Sequence, residues 1–198
     1  SGSGDRFKRK HGLTGAYVVS FAGVLGHLQD LDVVLDAAGL TKDTQEIVWL
    51  IVGDGVRKEG LENKARTLRL ENVRFVPMVP REVYPEVLYA SDVCLATLKA
   101  EVKTPVVPSK ILGIMAAGKP LVACMDTKGD GPALVSEADC GYALQAEDHE
   151  ALADTVRTLY ADRELGKRLG ANGRAYAEAE LSLDAAAQRH ATLFEQIA

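Results

Sequence analysis

The sequence predicts an α/β fold: a doubly wound six-stranded parallel sheet followed by C-terminal helices. Three observations carry that expectation. Apolar runs of strand length alternate with segments of helical period along most of the chain, the pattern of β-α units. Most of the strand runs are continuous in Val, Ile and Leu, as in strands covered on both faces. The length of 198 residues, with 47% apolar and 26% charged residues, suits one domain with an ordinary core.

The chain opens on Ser1-Gly2-Ser3-Gly4, which reads as an appended remnant outside the fold, with the natural protein beginning further upstream. The first strand is placed at Tyr17–Ala22, followed by a helix whose apolar face is Leu28, Leu31, Val34, Leu35 and Ala38. Ile47–Val52 is the second strand, and Leu61, Ala65 and Leu68 mark the next helix. Val73–Val76 is the third, with Val83, Val87 and Leu88 on the helix after it. Val93–Leu98 and Pro120–Met125 flank a helix opened by Pro108, and Gly141–Leu144 is a short sixth strand. From about residue 147 the pattern is helical only: Glu150–Tyr160, Arg163–Glu178, and a last amphipathic helix presenting Leu183, Ala187, His190, Phe194 and Ile197. Residues 5–198 thus read as a single Rossmann-like domain.

Composition removes several function classes. A net charge of −5 with interspersed signs offers no basic stripe for nucleic acid. No stretch is continuously apolar over the roughly 20 residues a membrane span needs. Cys94, Cys124 and Cys140 show no metal spacing and read as buried thiols of a reducing compartment. Ser-His-Asp order, H-E-x-x-H and a Walker lysine loop are all missing, so hydrolase, metalloprotease and P-loop chemistry lack their parts.

In an open parallel sheet, ligands bind at the carboxyl ends of the strands where the strand order reverses. The turn after the first strand, Gly23-Val24-Leu25-Gly26-His27, lets a phosphate or sugar approach the backbone, or is a plain tight turn. Gly53-Asp54-Gly55 is a turn signal first and a ligand loop second: Asp54 ends a strand where a nicotinamide-type ribose contact is conceivable, a lesser reading without the glycine fingerprint. The strongest candidate is Thr104-Pro105-Val106-Val107-Pro108-Ser109-Lys110. Proline pre-sets the helix start, so the amides of Ser109, Lys110 and Ile111 are expected to point outward at the positive end of the dipole, with the Lys110 ammonium beside them. That arrangement is an anion cradle, or else a capped helix with a solvated lysine. Asp126-Thr127-Lys128-Gly129-Asp130-Gly131-Pro132, after the fifth strand, either lines a sugar pocket or merely connects.

Several segments now occur in a telling order: Phe21-Ala22-Gly23, Val52-Gly53-Asp54-Gly55, Asn72-Val73-Arg74-Phe75 with Val79-Pro80, Ala90-Ser91-Asp92-Val93, Pro108-Ser109-Lys110-Ile111 and Met115-Ala116-Ala117-Gly118-Lys119-Pro120. Together they resemble the C-terminal, donor-binding domain of the group 1 retaining glycosyltransferases of GT-B fold, in the branch that builds bacterial surface polysaccharides. The resemblance implies a UDP-sugar donor and a glycan or lipid-linked acceptor. It implies a diphosphate on Gly23, Gly26, His27, Ser109, Lys110 and Ile111, with nucleobase and ribose near Gly53, Met78, Val79, Arg81 and Gly113. The donor sugar would face Asp126, Gly129 and Asp130. It further implies that no catalytic residue lies in this chain, that no metal or other cofactor is needed, and that an N-terminal acceptor domain outside the chain completes the enzyme. By itself the chain is then expected to be inactive. Its expected place is the cytoplasm, with the inner membrane face open for the intact protein. Two departures stand out: Gly113 occupies the place of the family's ribose-holding glutamate, and Val24 and Gln29 replace basic residues of the first loop. Two other readings remain, a non-catalytic assembly module with a decayed site and half of a sugar-nucleotide epimerase. Self-association through the last helix is a further expectation.

Overall fold

A computed structural model describes residues 2–103, 107–182, 185 and 187. The predicted α/β architecture is present. In chain order the elements are α1 (Gly2–Lys10), β1 (Tyr17–Ala22), α2 (Asp32–Leu40), β2 (Ile47–Val52), α3 (Lys58–Thr67), β3 (Val73–Val76) and α4 (Tyr84–Ala90). They continue with β4 (Val93–Thr97), α5 (Ser109–Ala116), β5 (Leu121–Cys124), α6 (Asp130–Glu137), β6 (Gly141–Leu144), α7 (His149–Ala161) and α8 (Arg163–Glu180). The six strands form one sheet in the order β3-β2-β1-β4-β5-β6, every neighbouring pair parallel. The chain therefore winds outward from β1 to β3, then crosses back to lay β4 on the other side of β1. That reversal puts the topological switch point between β1 and β4.

Side-chain alternation along the strands divides the core in two. Tyr17, Val19, Phe21, Trp49 and Ile51 point to one face and are covered by α2, α3 and α7 through Val34, Leu61 and Val156. Val18, Ala22, Leu50 and Val52 point to the other, under Phe7 of α1 and Val87 of α4. Further along that face Cys94, Ala96, Leu121 and Ala123 meet α5 and α6 at Ile111, Ile114 and Val135. Because β1, β4 and β5 are buried on both faces, their sequences lack polar alternation.

Two details depart from the sequence reading. Residues 2–4, set apart from the fold, begin α1, and Gly4 is buried where a Cβ would lie 2.7 Å from the backbone of Tyr89. Leu28 and Leu68, placed on helical apolar faces, lie just outside α2 and α3 and are exposed. The last amphipathic helix, with Leu183, His190, Phe194 and Ile197, lies outside the described residues. Among those described, no helix is long and apolar enough to cross a membrane.

A glycine stripe seats α8. Gly118, at φ +66°, ends α5, and a Cβ at Gly170 would fall well inside contact distance of the Gly118 carbonyl oxygen. Gly166 in the same helix has ordinary room, its nearest neighbour being Pro120 Cγ at 3.7 Å. Gly170→Ala is expected to cost about 1–3 kcal/mol by overpacking, while Gly166→Ala should be neutral or stabilising by up to about 1 kcal/mol. Urea midpoints at unchanged slope check the pair; equal midpoints would contradict the packing described.

Candidate functional site

The turns after β1 and β2 interlock at the switch point. Gly23 N donates to Val52 O and Gly53 N to Val76 O, both at 2.9 Å, so each strand end is tied to the next. Gly53 is buried, and a Cβ there would collide with the Gly23 carbonyl oxygen. Gly23 itself, at φ +150°, takes a conformation that favours glycine. Leu25 N donates to Asp54 O at 2.9 Å and Arg57 N to Leu25 O at 3.0 Å, which closes the two turns into one plate.

Lys110 rises from the first turn of α5 onto that plate. Its Nζ fills the space that a side chain at Gly23 would take and donates to Ala22 O at 2.6 Å. It also sits 4.4 Å from the centroid of the Phe21 ring. No carboxylate pairs with it among the described residues, and burial pushes its pKa down to about 8. The structure thus makes Lys110 a partly desolvated cation against the glycine turn, where the sequence left open a solvated one.

The expected cradle is otherwise altered in one respect. Ile111 is buried, and its amide donates to Pro108 O at 2.9 Å, so it is not turned outward. Ser109 is exposed at the start of α5. Gly26 has only ordinary contacts, 3.4 Å to Gln29 Oε1, so no close approach demands a glycine there, and His27 is exposed. Thr104, Pro105 and Val106 lie outside the described residues.

The remaining candidates surround this point. Gly131 places the start of α6 against that of α5, since a Cβ there would meet Ile111 Cδ1 at 3.0 Å and Pro108 Cδ at 3.2 Å. A narrow cleft between them is lined by Pro108, Met125, Asp126 and Gly129. The Asp126 carboxylate pairs with Lys103 at 2.9 Å, which holds its pKa below the ordinary range, while Asp130 is exposed. On the opposite flank, a Cβ on Gly113 would find only Tyr84 Cε1, at 3.9 Å. Tyr84 follows the loop that carries Met78, Val79 and Arg81, so Gly113 and that loop share one corner. Asp54 Oδ2 accepts from Met78 N at 2.7 Å and holds the loop beside the plate.

Sequence reasoning missed Phe21 and Tyr84 as parts of this corner. Phe21 read as a residue of the first strand, and Tyr84 was not singled out. Asp54 was weighed as a direct ribose ligand, whereas its carboxylate is spent on the neighbouring backbone and on Lys58.

Comparison with known proteins places the arrangement. The family model described as "Glycosyl transferases group 1" matches residues 4–176. WcaI of Escherichia coli (strain K12), named as a glycosyl transferase of colanic acid biosynthesis, is 29% identical over 163 residues, covering 76% of this chain and 40% of WcaI. Anabaena HepE, crystallised in complex with UDP, superposes with a TM-score of 0.84 at 21% identity, over 98% of this chain and 53% of HepE. The crystallised C-terminal domain of LpcC, a group 1 family protein of Francisella tularensis, gives a TM-score of 0.74 at 16% identity, over 89% of this chain and 93% of that one. The chain therefore spans about 40% of the length of WcaI.

The buried ammonium has a signature in stability. With a folded pKa of about 8 against 10.5 when unfolded, the unfolded chain binds the extra proton between those values, so this residue makes stability rise with pH across that window. The buried thiols of Cys94, Cys124 and Cys140 have raised pKa values and act oppositely. The Lys110 contribution is therefore the difference between the protein and Lys110→Met. Unfolding free energies between pH 8 and 10.5 should give a difference that climbs by up to about 1.4 kcal/mol per unit. A flat difference would place Lys110 in water.

Proposed function

The chain belongs to the group 1 glycosyl transferases, and we propose that it is the donor-binding half of such an enzyme. In this reading it holds a UDP-sugar while the intact protein transfers the sugar, with anomeric retention, to a glycan or lipid-linked acceptor in surface polysaccharide biosynthesis. The observation that carries the proposal is the Lys110 ammonium set into the Gly23 notch at the switch point. A phosphate resting on that turn meets an uncompensated cation, and the start of α5 adds the amides of Ser109 and Lys110 at the positive end of its dipole.

The neighbouring groups extend the ligand in both directions. Toward α6, Asp126, Gly129 and Asp130 border the cleft and are proposed to face the donor sugar. Toward α4, Gly53, Met78, Val79, Arg81 and Gly113 ring the corner proposed for the ribose and base. The charge of the diphosphate falls to protein cations and amides, so the proposal calls on no metal. Support comes from HepE, whose structure holds UDP, and from WcaI, whose name places it in colanic acid biosynthesis. The acceptor side and the catalytic groups are assigned to a second domain beyond these residues. One observation favours the decayed-site reading instead: Gly113 presents no carboxylate to a ribose.

Calorimetric titration with UDP tests both. A charge-assisted contact contributes roughly 1.5–3 kcal/mol, so Lys110→Ala should weaken UDP by about tenfold or more. Affinity of the unaltered chain should fall as pH rises above about 8, where Lys110 discharges, and that fall should vanish in Lys110→Ala. Gly113→Glu, for which the structure has room, should tighten UDP by about 1–3 kcal/mol. Absence of UDP binding in every variant would favour the assembly module, and loss of binding in Gly113→Glu alone would displace the ribose from this corner.

A further inference from the structure

At the opposite end of the sheet, beneath the amino ends of β2 and β3, lies a cleft of about 300 Å³ lined by Lys42, Gln45, Arg69, Glu71, Asn72 and Arg74. Three cations face one carboxylate there, on a chain whose net charge is −5. None of the three pairs with a carboxylate among the described residues. Backbone carbonyls post Lys42 and Arg74 instead. Lys42 Nζ donates to Leu68 O at 2.7 Å, and Arg74 Nη1 donates to Glu71 O at 2.6 Å and Val73 O at 3.0 Å. Arg69 stands at φ +52°, with its amide on Arg66 O at 3.0 Å. Such a φ is unfavourable for a long side chain and persists only where the surroundings enforce it. Asn72 completes the wall, fixed by its Nδ2 bond to Ala38 O at 2.9 Å.

We propose that this cleft is a second anion site, remote from the switch point, that takes a small phosphorylated ligand of sugar-phosphate size. A guanidinium held at one nitrogen, as Arg74 is, keeps a free edge that matches the forked geometry of a phosphate, and a surplus of two positive charges balances a dianionic monoester. The volume lies at the lower end of the range for small-molecule pockets, roughly 300–1,000 Å³, which suits a phosphate ester carrying a single ring. A concave cleft of this size favours a soluble ester over a lipid headgroup, although the phosphate chemistry is shared. Gln45, Asn72 and Glu71 supply polar partners for hydroxyl groups beside the phosphate.

The probes are glucose 6-phosphate, glucose and vesicles of phosphatidylcholine with or without phosphatidic acid, each followed by amide chemical shifts of the isotope-labelled chain. Glucose 6-phosphate should shift residues 42, 45, 69–72 and 74 in a saturable way, while glucose leaves them in place. Arg69→Gly, which also relieves the positive φ, and Arg74→Gln should each weaken that response about tenfold or more. UDP titration of the same variants, with its shifts around Gly23 and Lys110, should be unchanged, which separates this site from the proposed donor site. Unsaturable shifts, a response in both variants equal to that of the unaltered chain, or binding to phosphatidic acid vesicles without binding to the soluble ester would each overturn the proposal.

Discussion

The contact between two glycine turns governs the carboxyl end of the sheet. Gly53 must lack a side chain because the Gly23 carbonyl occupies its place, and Gly23 is glycine because its φ of +150° disfavours any side chain, which leaves the notch that the Lys110 amine fills. Together with the bonds from Gly23 N to Val52 O and from Gly53 N to Val76 O, this makes the ends of β1, β2 and β3 one surface. A ligand that lands there meets backbone set by the sheet, with little left to order on binding, and pre-organisation of that kind lowers the entropic cost of association.

Lys110 shows what such a surface does to a charge. Taking an ammonium out of water costs several kcal/mol. The carbonyl of Ala22 and the Phe21 ring face offset only part of that, the ring contributing about 0.5–2 kcal/mol. The remaining deficit is the depressed pKa. A carboxylate neighbour would remove the deficit and, with it, the positive field offered to an anion. Cys94 is the counterexample in the same core. Its thiol, close to Ser20 Oγ, is driven up to about 11, the condition of an inert buried group.

The fold was legible because burial on both faces leaves a signal in composition: β2 and β5 read as unbroken apolar runs, and β1 is interrupted only by Ser20. Strand order is long-range and was read only as far as double winding. The first helix was missed because its segment carries one apolar anchor, Phe7, among charged residues and glycines. Leu28 was misplaced because helical period cannot distinguish an apolar residue on a helix from one in the turn before it. At the site, Gly23, Gly53 and Lys110 were legible as residue types whose placement chemistry demands. The amide of Ile111 was not, since its bond to Pro108 O depends on how the first turn of α5 closes. Nor was the lock between Asp54 and Met78, which joins residues 24 positions apart.

Part of what fixes the helix that carries Lys110 lies far from the lysine. The helix α5 is clamped at its carboxyl end: Arg174 donates to Ala116 O, and a Cβ on Gly173 would lie 3.6 Å from Met115 Cα. Gly170 packs directly on Gly118, and Lys119 Nζ caps the end of α4 at Ser91 O, 2.8 Å away. At the amino end Gly131 of α6 seats against Ile111 and Pro108, and the Lys110 amine is held on Ala22 O. The geometry of the amino end is therefore set by α6 and the glycine turn beside it and, at the far end, by α8, which contributes no residue to the site. A helix held at both ends presents its free amides and lysine without a second layer of polar side chains to position them. That is how a site with so few polar residues of its own keeps a defined shape.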